Sequence, residues 1–109
     1  MGFEHVCTMD EYFAALANTH RRRLLLALLN HNPQRDEINV PEDVHEGEMA
    51  LEALQTELHH SHLPRLEESG FIGWNRDTHE VVRGPRFDEI RPLLELMQDH
   101  ADELPDDWP

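Results

Sequence analysis

The sequence predicts a mainly α-helical domain that carries one small β-hairpin. Three observations lead there. Apolar residues recur at helical spacing through 9–30, 48–69 and 87–104. Two short β-type runs, FIGWN (71–75) and EVVRG (80–84), flank a polar four-residue loop. A length of 109 residues suits one domain with a modest core, because small domains bury a smaller share of their surface.

Taken in order, the first helix covers 9–18, with Thr8 as N-cap and Met9, Tyr12, Phe13 and Leu16 on one stripe. Asn18-Thr19 is a second capping signal and opens a helix over 20–30. Leu24 to Leu29 is apolar on every side, which suits a helix at the centre of a small bundle. Asn32-Pro33 marks a loop. Ile38-Asn39-Val40 reads as a short strand ended by Pro41, and Pro41–Val44 as one or two helical turns before Gly47.

A longer helical pattern runs from Glu48 to Ser69, with Leu51, Leu54, Leu58 and Leu66 along one stripe. Pro64 lacks the amide proton that a helix interior needs, so a kink or restart is expected near Ser61. Ser69-Gly70 is the stop. After the hairpin, Gly84-Pro85 breaks the chain and a last helix starts near Asp88, with Pro92 near its first turn. Phe87, Ile90, Leu94, Met97 and Ala101 form one stripe on it. Leu93, Leu96 and Leu104 form a second, which needs a partner. The domain spans 1–104, and 105–109 is expected to be a flexible acidic tail, although Trp108 could dock. This order of elements is that of a winged helix-turn-helix domain with a small β-wing over 72–83 and terminal dimerisation helices.

Charge narrows the function. The chain has 23 acidic residues and 9 basic ones, a formal net charge of −14. Every basic residue is Arg. Residues 51–85, with 6 acids and 3 Arg, are the least acidic third and hold four of the nine His. Such acidity opposes nucleic-acid binding in dilute salt, where phosphate neutralisation dominates affinity. Extreme acidity without Lys, beside 39% hydrophobic residues, instead resembles a halophilic archaeal protein, whose self-repulsion is screened by concentrated salt. One Cys excludes an intrachain disulfide, no apolar run spans a bilayer, and the N-terminus lacks a secretory pattern. No membrane partner and a cytoplasmic location are expected.

Two segments resemble a known family. His62-Leu63-Pro64-Arg65-Leu66-Glu67-Glu68-Ser69-Gly70-Phe71-Ile72 is similar to the end of the recognition helix in ArsR/SmtB-type winged helix regulators, written H-L-x-x-L-x-x-x-G followed by two hydrophobic residues. Leu16-Ala17-Asn18-Thr19-His20-Arg21-Arg22-Arg23-Leu24-Leu25 resembles that family's L-A-x-P-T-R-x-x-I-L segment, with Asn18 in place of Pro. The H-L-P-R-L form without Lys looks most like the winged helix domains of halophilic archaea. The resemblance implies a homodimer on double-stranded DNA, with a recognition helix within 48–69.

With the leucines inward, Gln55, Thr56, His59, His60 and Arg65 are the candidate DNA contacts on that helix, and Arg76 and His79 those on the wing. Gln reads adenine, Arg reads guanine, and His donates to phosphate or N7; a hairpin Arg can enter a minor groove. The dimer interface is assigned to Tyr12, Leu93, Leu96, Met97 and Leu104. Arg21, Arg22 and Arg23 could reach phosphate, but pairing with Asp10 or Glu11 is the expectation.

The competing readings are a protein-interaction module without DNA binding and a metal- or redox-responsive regulator. The short Pro41–His45 helix, Pro64 and the low Arg count favour the first. His59, His60 and His62 with Glu57, or Glu95, Asp99, His100 and Glu103, would serve the second, with Cys7 beside His5 as a redox group. Adjacent His59 and His60 point about 100° apart on a helix, and no Cys-rich metal motif is present, so no metal or other cofactor is expected. With no Gly-rich phosphate loop, nucleophile elbow or HExxH, no catalytic role is expected either.

Overall fold

The computed structural model describes residues 8–30, 37–39 and 50–109. Cys7, His5, the Asn32-Pro33 loop and the Pro41–Val44 turns lie outside them. Thr8 starts α1 (Met9–Leu16) as the sequence predicts, its hydroxyl accepting the Glu11 amide at 3.2 Å. Asn18 starts α2 (Thr19–Asn30) in the same way, through Oδ1 and the His20 amide at 2.8 Å. Leu24, Leu25, Leu26 and Leu28 are all buried, so α2 is the central helix.

The long pattern after Ala50 is split into three. Residues Leu51–Glu57 form α3, Leu58–His62 make one π-helical turn, and Leu63–Glu68 form α4. Across the wide turn the Leu63 amide donates to Leu58 C=O, five residues back. The cause is Pro64, whose ring would clash with the His60 carbonyl and whose nitrogen carries no proton. The expected restart near Ser61 therefore takes the form of one extra residue in a turn. Leu54, Leu58 and Leu66 are buried as the stripe requires, but Leu51 is exposed.

Gly70, at φ +85°, ends α4. The Phe71 amide donates to Leu66 C=O and the Gly70 amide to Glu67 C=O, the paired bonds of a Schellman stop. Buried Phe71 turns the chain into β2 (Ile72–Asn75), which pairs antiparallel with β3 (Glu80–Arg83), Trp74 opposite Val81. On its other edge β3 pairs with β1 (Glu37–Asn39), giving a three-stranded sheet of order β1-β3-β2. A Cβ on Gly84 would lie 2.5 Å from Gly70 O, so the hairpin can close on the end of α4 only through a glycine here.

The last helix, α5 (Phe87–Asp99), buries Phe87, Ile90 and Leu94 and leads into a 3-10 turn, Ala101–Glu103. Pro92 falls in its second turn rather than its first, and Ala101 is exposed. Residues 105–109, expected to be a flexible tail, return to the start of α2. Thr19 Oγ1 donates to Pro109 O at 2.6 Å, and Trp108 packs against the core. The architecture is mainly helical with a small antiparallel sheet. No described helix is long and apolar enough to cross a membrane.

Candidate nucleic-acid interface

The extra residue in the π turn decides which histidine faces which way. His62 joins Leu63 inside and is 5% exposed, whereas His59 is half-buried toward the hairpin and His60 is exposed. At His62, the Arg21 guanidinium can only donate, so Nδ1 accepts (2.9 Å) and the ring proton sits on Nε2, 3.7 Å from Glu57 Oε2. His20 Nε2 lies 3.4 Å from the same carboxylate oxygen. Burial, then Arg21 and His20, lower the His62 pKa below its ordinary value, while Glu57 pulls it upward.

Arg21 and Arg22 do not reach toward Asp10 or Glu11 for their hydrogen bonds. Arg21 donates to Ala15 C=O (3.1 Å) and Ala14 C=O (3.0 Å), and Arg22 to Leu16 C=O (2.8 Å). These are carbonyls of the last turn, at the negative end of α1, where a cation is most favourable. Arg83 does the same for α2, holding Leu28 and Leu29 C=O.

On the other side of the π turn, His59 meets the hairpin. Its Nε2 is 3.3 Å from His79 Nδ1, and its ring stands edge-on to Trp74, centroids 4.9 Å apart at 84°. The Arg76 guanidinium covers the Trp74 ring at 4.4 Å and pairs with Glu67 at 3.6 Å. Asn75 Oδ1 accepts the Asp77 and Thr78 amides, which shapes the turn, and His79 closes it at φ +62°. Partial burial, then His79, His60 and Arg76, lower the His59 pKa.

Of the predicted contacts, His59, Arg76 and His79 are thus brought together around Trp74, which the sequence reading missed. The signal was present: Trp74 and Arg76 stand two residues apart, the spacing of one strand face. Gln55 is half-buried. Thr56 turns its hydroxyl back to Glu52 C=O, at 3.0 Å. His60 and Arg65 are exposed, and among the described residues the Arg65 guanidinium has no hydrogen-bond or ion-pair partner.

The predicted dimer residues divide. Tyr12 packs within the chain, its hydroxyl donating to Glu89 C=O (3.0 Å) and its ring 6.2 Å from Phe71. Leu93 and Met97 are half-buried against the core. Leu104 lines an apolar cavity of about 230 Å³ with Phe13, Leu16 and Trp108. Only Leu96 is fully outside, 56% exposed, and Phe13 on α1 is 58% exposed. No group of three or more His, Cys, Asp or Glu among the described residues is placed to hold a metal. At the end of α5, the His100 ring lies beside Glu103, at 3.6 Å.

A family model described as a domain of unknown function, DUF7344, matches residues 13–82. The chain belongs to this family. The DUF7344 span takes in α2, the α3–α4 segment and nearly all of the hairpin, so both histidine clusters lie within it, and α5 follows it. Neither the curated proteins nor the solved structures return a match.

Proposed function

We propose that the chain is a homodimeric, sequence-specific regulator that binds double-stranded DNA through a winged helix-turn-helix. In this reading α3–α4 is the recognition segment and the β2–β3 hairpin is the wing. The observation that carries it is Arg65. In a chain of net charge −14, this guanidinium stands exposed and unpartnered among the described residues, while Arg21, Arg22 and Arg83 hold helix carbonyls. His60, one turn earlier, and Arg76 on the adjoining hairpin are exposed as well. Arg65 suits the paired acceptors of guanine in a major groove, and Arg76 suits a phosphate or minor groove beside it.

Glu57 and Glu67 flank this face and repel phosphate, so affinity in dilute salt is expected to be poor. In concentrated salt counterion release contributes little, and base and shape contacts carry the binding. Exposed Phe13 and Leu96 on the terminal helices supply apolar surface for a second copy. Two recognition segments would then read half-sites about one helical turn apart.

The test is fluorescence-detected binding to a randomised duplex pool and to the promoter region of its own gene, in multimolar KCl. Wild type runs beside Arg65→Ala and His60→Ala. Saturable, sequence-dependent binding weakened by both supports the reading. A well-folded wild type that binds no duplex makes the domain a protein-interaction module instead.

A further inference from the structure

The imidazoles at the helix–hairpin joint are set at a distance with its own chemistry. Two nitrogens bound to a tetrahedral zinc at 2.0–2.1 Å stand about 3.3 Å apart. The separation of His59 Nε2 and His79 Nδ1 is 3.3 Å. Without a metal the same two nitrogens share one hydrogen bond, at the long end of the range for an N–H donor. We propose that His59 and His79 form a two-imidazole site for one divalent transition-metal ion, joining the π turn to the β2–β3 hairpin.

Both rings are held in place. Trp74 packs edge-on against His59, and the left-handed backbone of His79, at φ +62° where it closes the hairpin turn, sets its ring toward the π turn. Ligation requires each imidazole neutral with its proton on the far nitrogen, Nδ1 of His59 and Nε2 of His79. Arg76 opposes a cation here, but its guanidinium lies over Trp74 and is paired with Glu67.

Imidazole nitrogen selects zinc, nickel or copper over magnesium or calcium, which prefer oxygen. With no third protein ligand among the described residues, water or chloride completes the shell. The neighbouring His20, His62 and Glu57 make the contrast. There the Arg21 donor on Nδ1 fixes the proton on His62 Nε2, which leaves that nitrogen no lone pair for a metal.

The site stands independently of the DNA reading, and its test uses no DNA. Nickel(II) or copper(II) is titrated into the folded chain in concentrated KCl, following the emission of Trp74 in a Trp108→Phe background; zinc(II) is followed by calorimetry. Open-shell ions quench an indole they approach, and Trp74 lies 4.9 Å from the His59 ring. The expected result is saturation at one equivalent with micromolar ion. His59→Gln or His79→Asn, the latter tolerant of positive φ, should each weaken binding by about tenfold or more. His100→Gln should change nothing. No saturable binding by wild type up to millimolar ion overturns the proposal, as does binding that His59→Gln and His79→Asn leave intact.

Discussion

Two histidine clusters lie on opposite sides of one π-helical turn. At His62, inside, Arg21 and Glu57 lie beside the two ring nitrogens, and Arg21 reaches on to the carbonyl end of α1. At His59, outside, the ring contacts His79 and Trp74 on a hairpin edge, half open to solvent. The inner cluster fastens three helical segments together, and the outer one joins two surfaces. The same side-chain type is locked among helices in one place and left open to solvent in the other because burial differs, and burial follows from where Pro64 puts the extra residue.

The contrast breaks first at the inner cluster. His62→Ala leaves a cavity, an unpartnered Arg21 donor and a less shielded Glu57. It should cost about 2–4 kcal/mol in chemical denaturation at high KCl. His59→Ala in the same assay should cost less than about 1 kcal/mol. Equal losses would mean that the two clusters share one structural role.

Next comes the arginine pair. Arg21→Ala uncaps Ala14 and Ala15 and strips His62 of its donor, an expected loss of about 1–3 kcal/mol. Arg65→Ala should shift stability by no more than about 0.5 kcal/mol, while on the proposed reading it should weaken DNA binding. A large stability loss in Arg65→Ala would place that residue among the structural arginines.

The pH dependence is smaller and has a defined sign. His62 holds its proton less tightly when folded, so the unfolded chain binds more protons in the window just below the ordinary value of 6.5. Its contribution is full above that value, falls as the pH drops through the window, and levels off below the folded pKa. The stability of wild type relative to His62→Leu should therefore decline between about pH 7.5 and 5.5. A flat or rising difference would mean that Glu57 outweighs burial. The corresponding difference for His59→Gln should be weaker, because water screens a half-open ring.

The smallest effect sharpens the outer cluster. Asn75→Ala removes the acceptor of the Asp77 and Thr78 amides, and about 1 kcal/mol of hairpin stability should go with it. Binding of nickel or zinc should weaken in step, since His79 loses its fixed place. Unchanged metal affinity would show that the hairpin holds His79 without that turn.

Much of this fold is legible from local chemistry. Thr8 and Asn18 cap helices because a side-chain oxygen reaches an amide two or three residues on. Gly70 stops α4 because it alone takes a positive φ there without strain. The alternating runs around 76–79 pair because their turn is short. Each of these depends on neighbours within a few positions, so the amino-acid order alone determines them, together with the acidic, lysine-free surface. Pro64 likewise announces a break. That His62 then lies inside and His59 outside was decided by how the turn packs, with Leu58 and Leu63 buried on either side of it. The placement of Arg21 against His62, 41 residues apart, and of His59 against His79, 20 apart, is likewise a product of packing. Sequence periodicity fixes which face of an element is apolar; which polar groups meet across elements depends on how those faces dock.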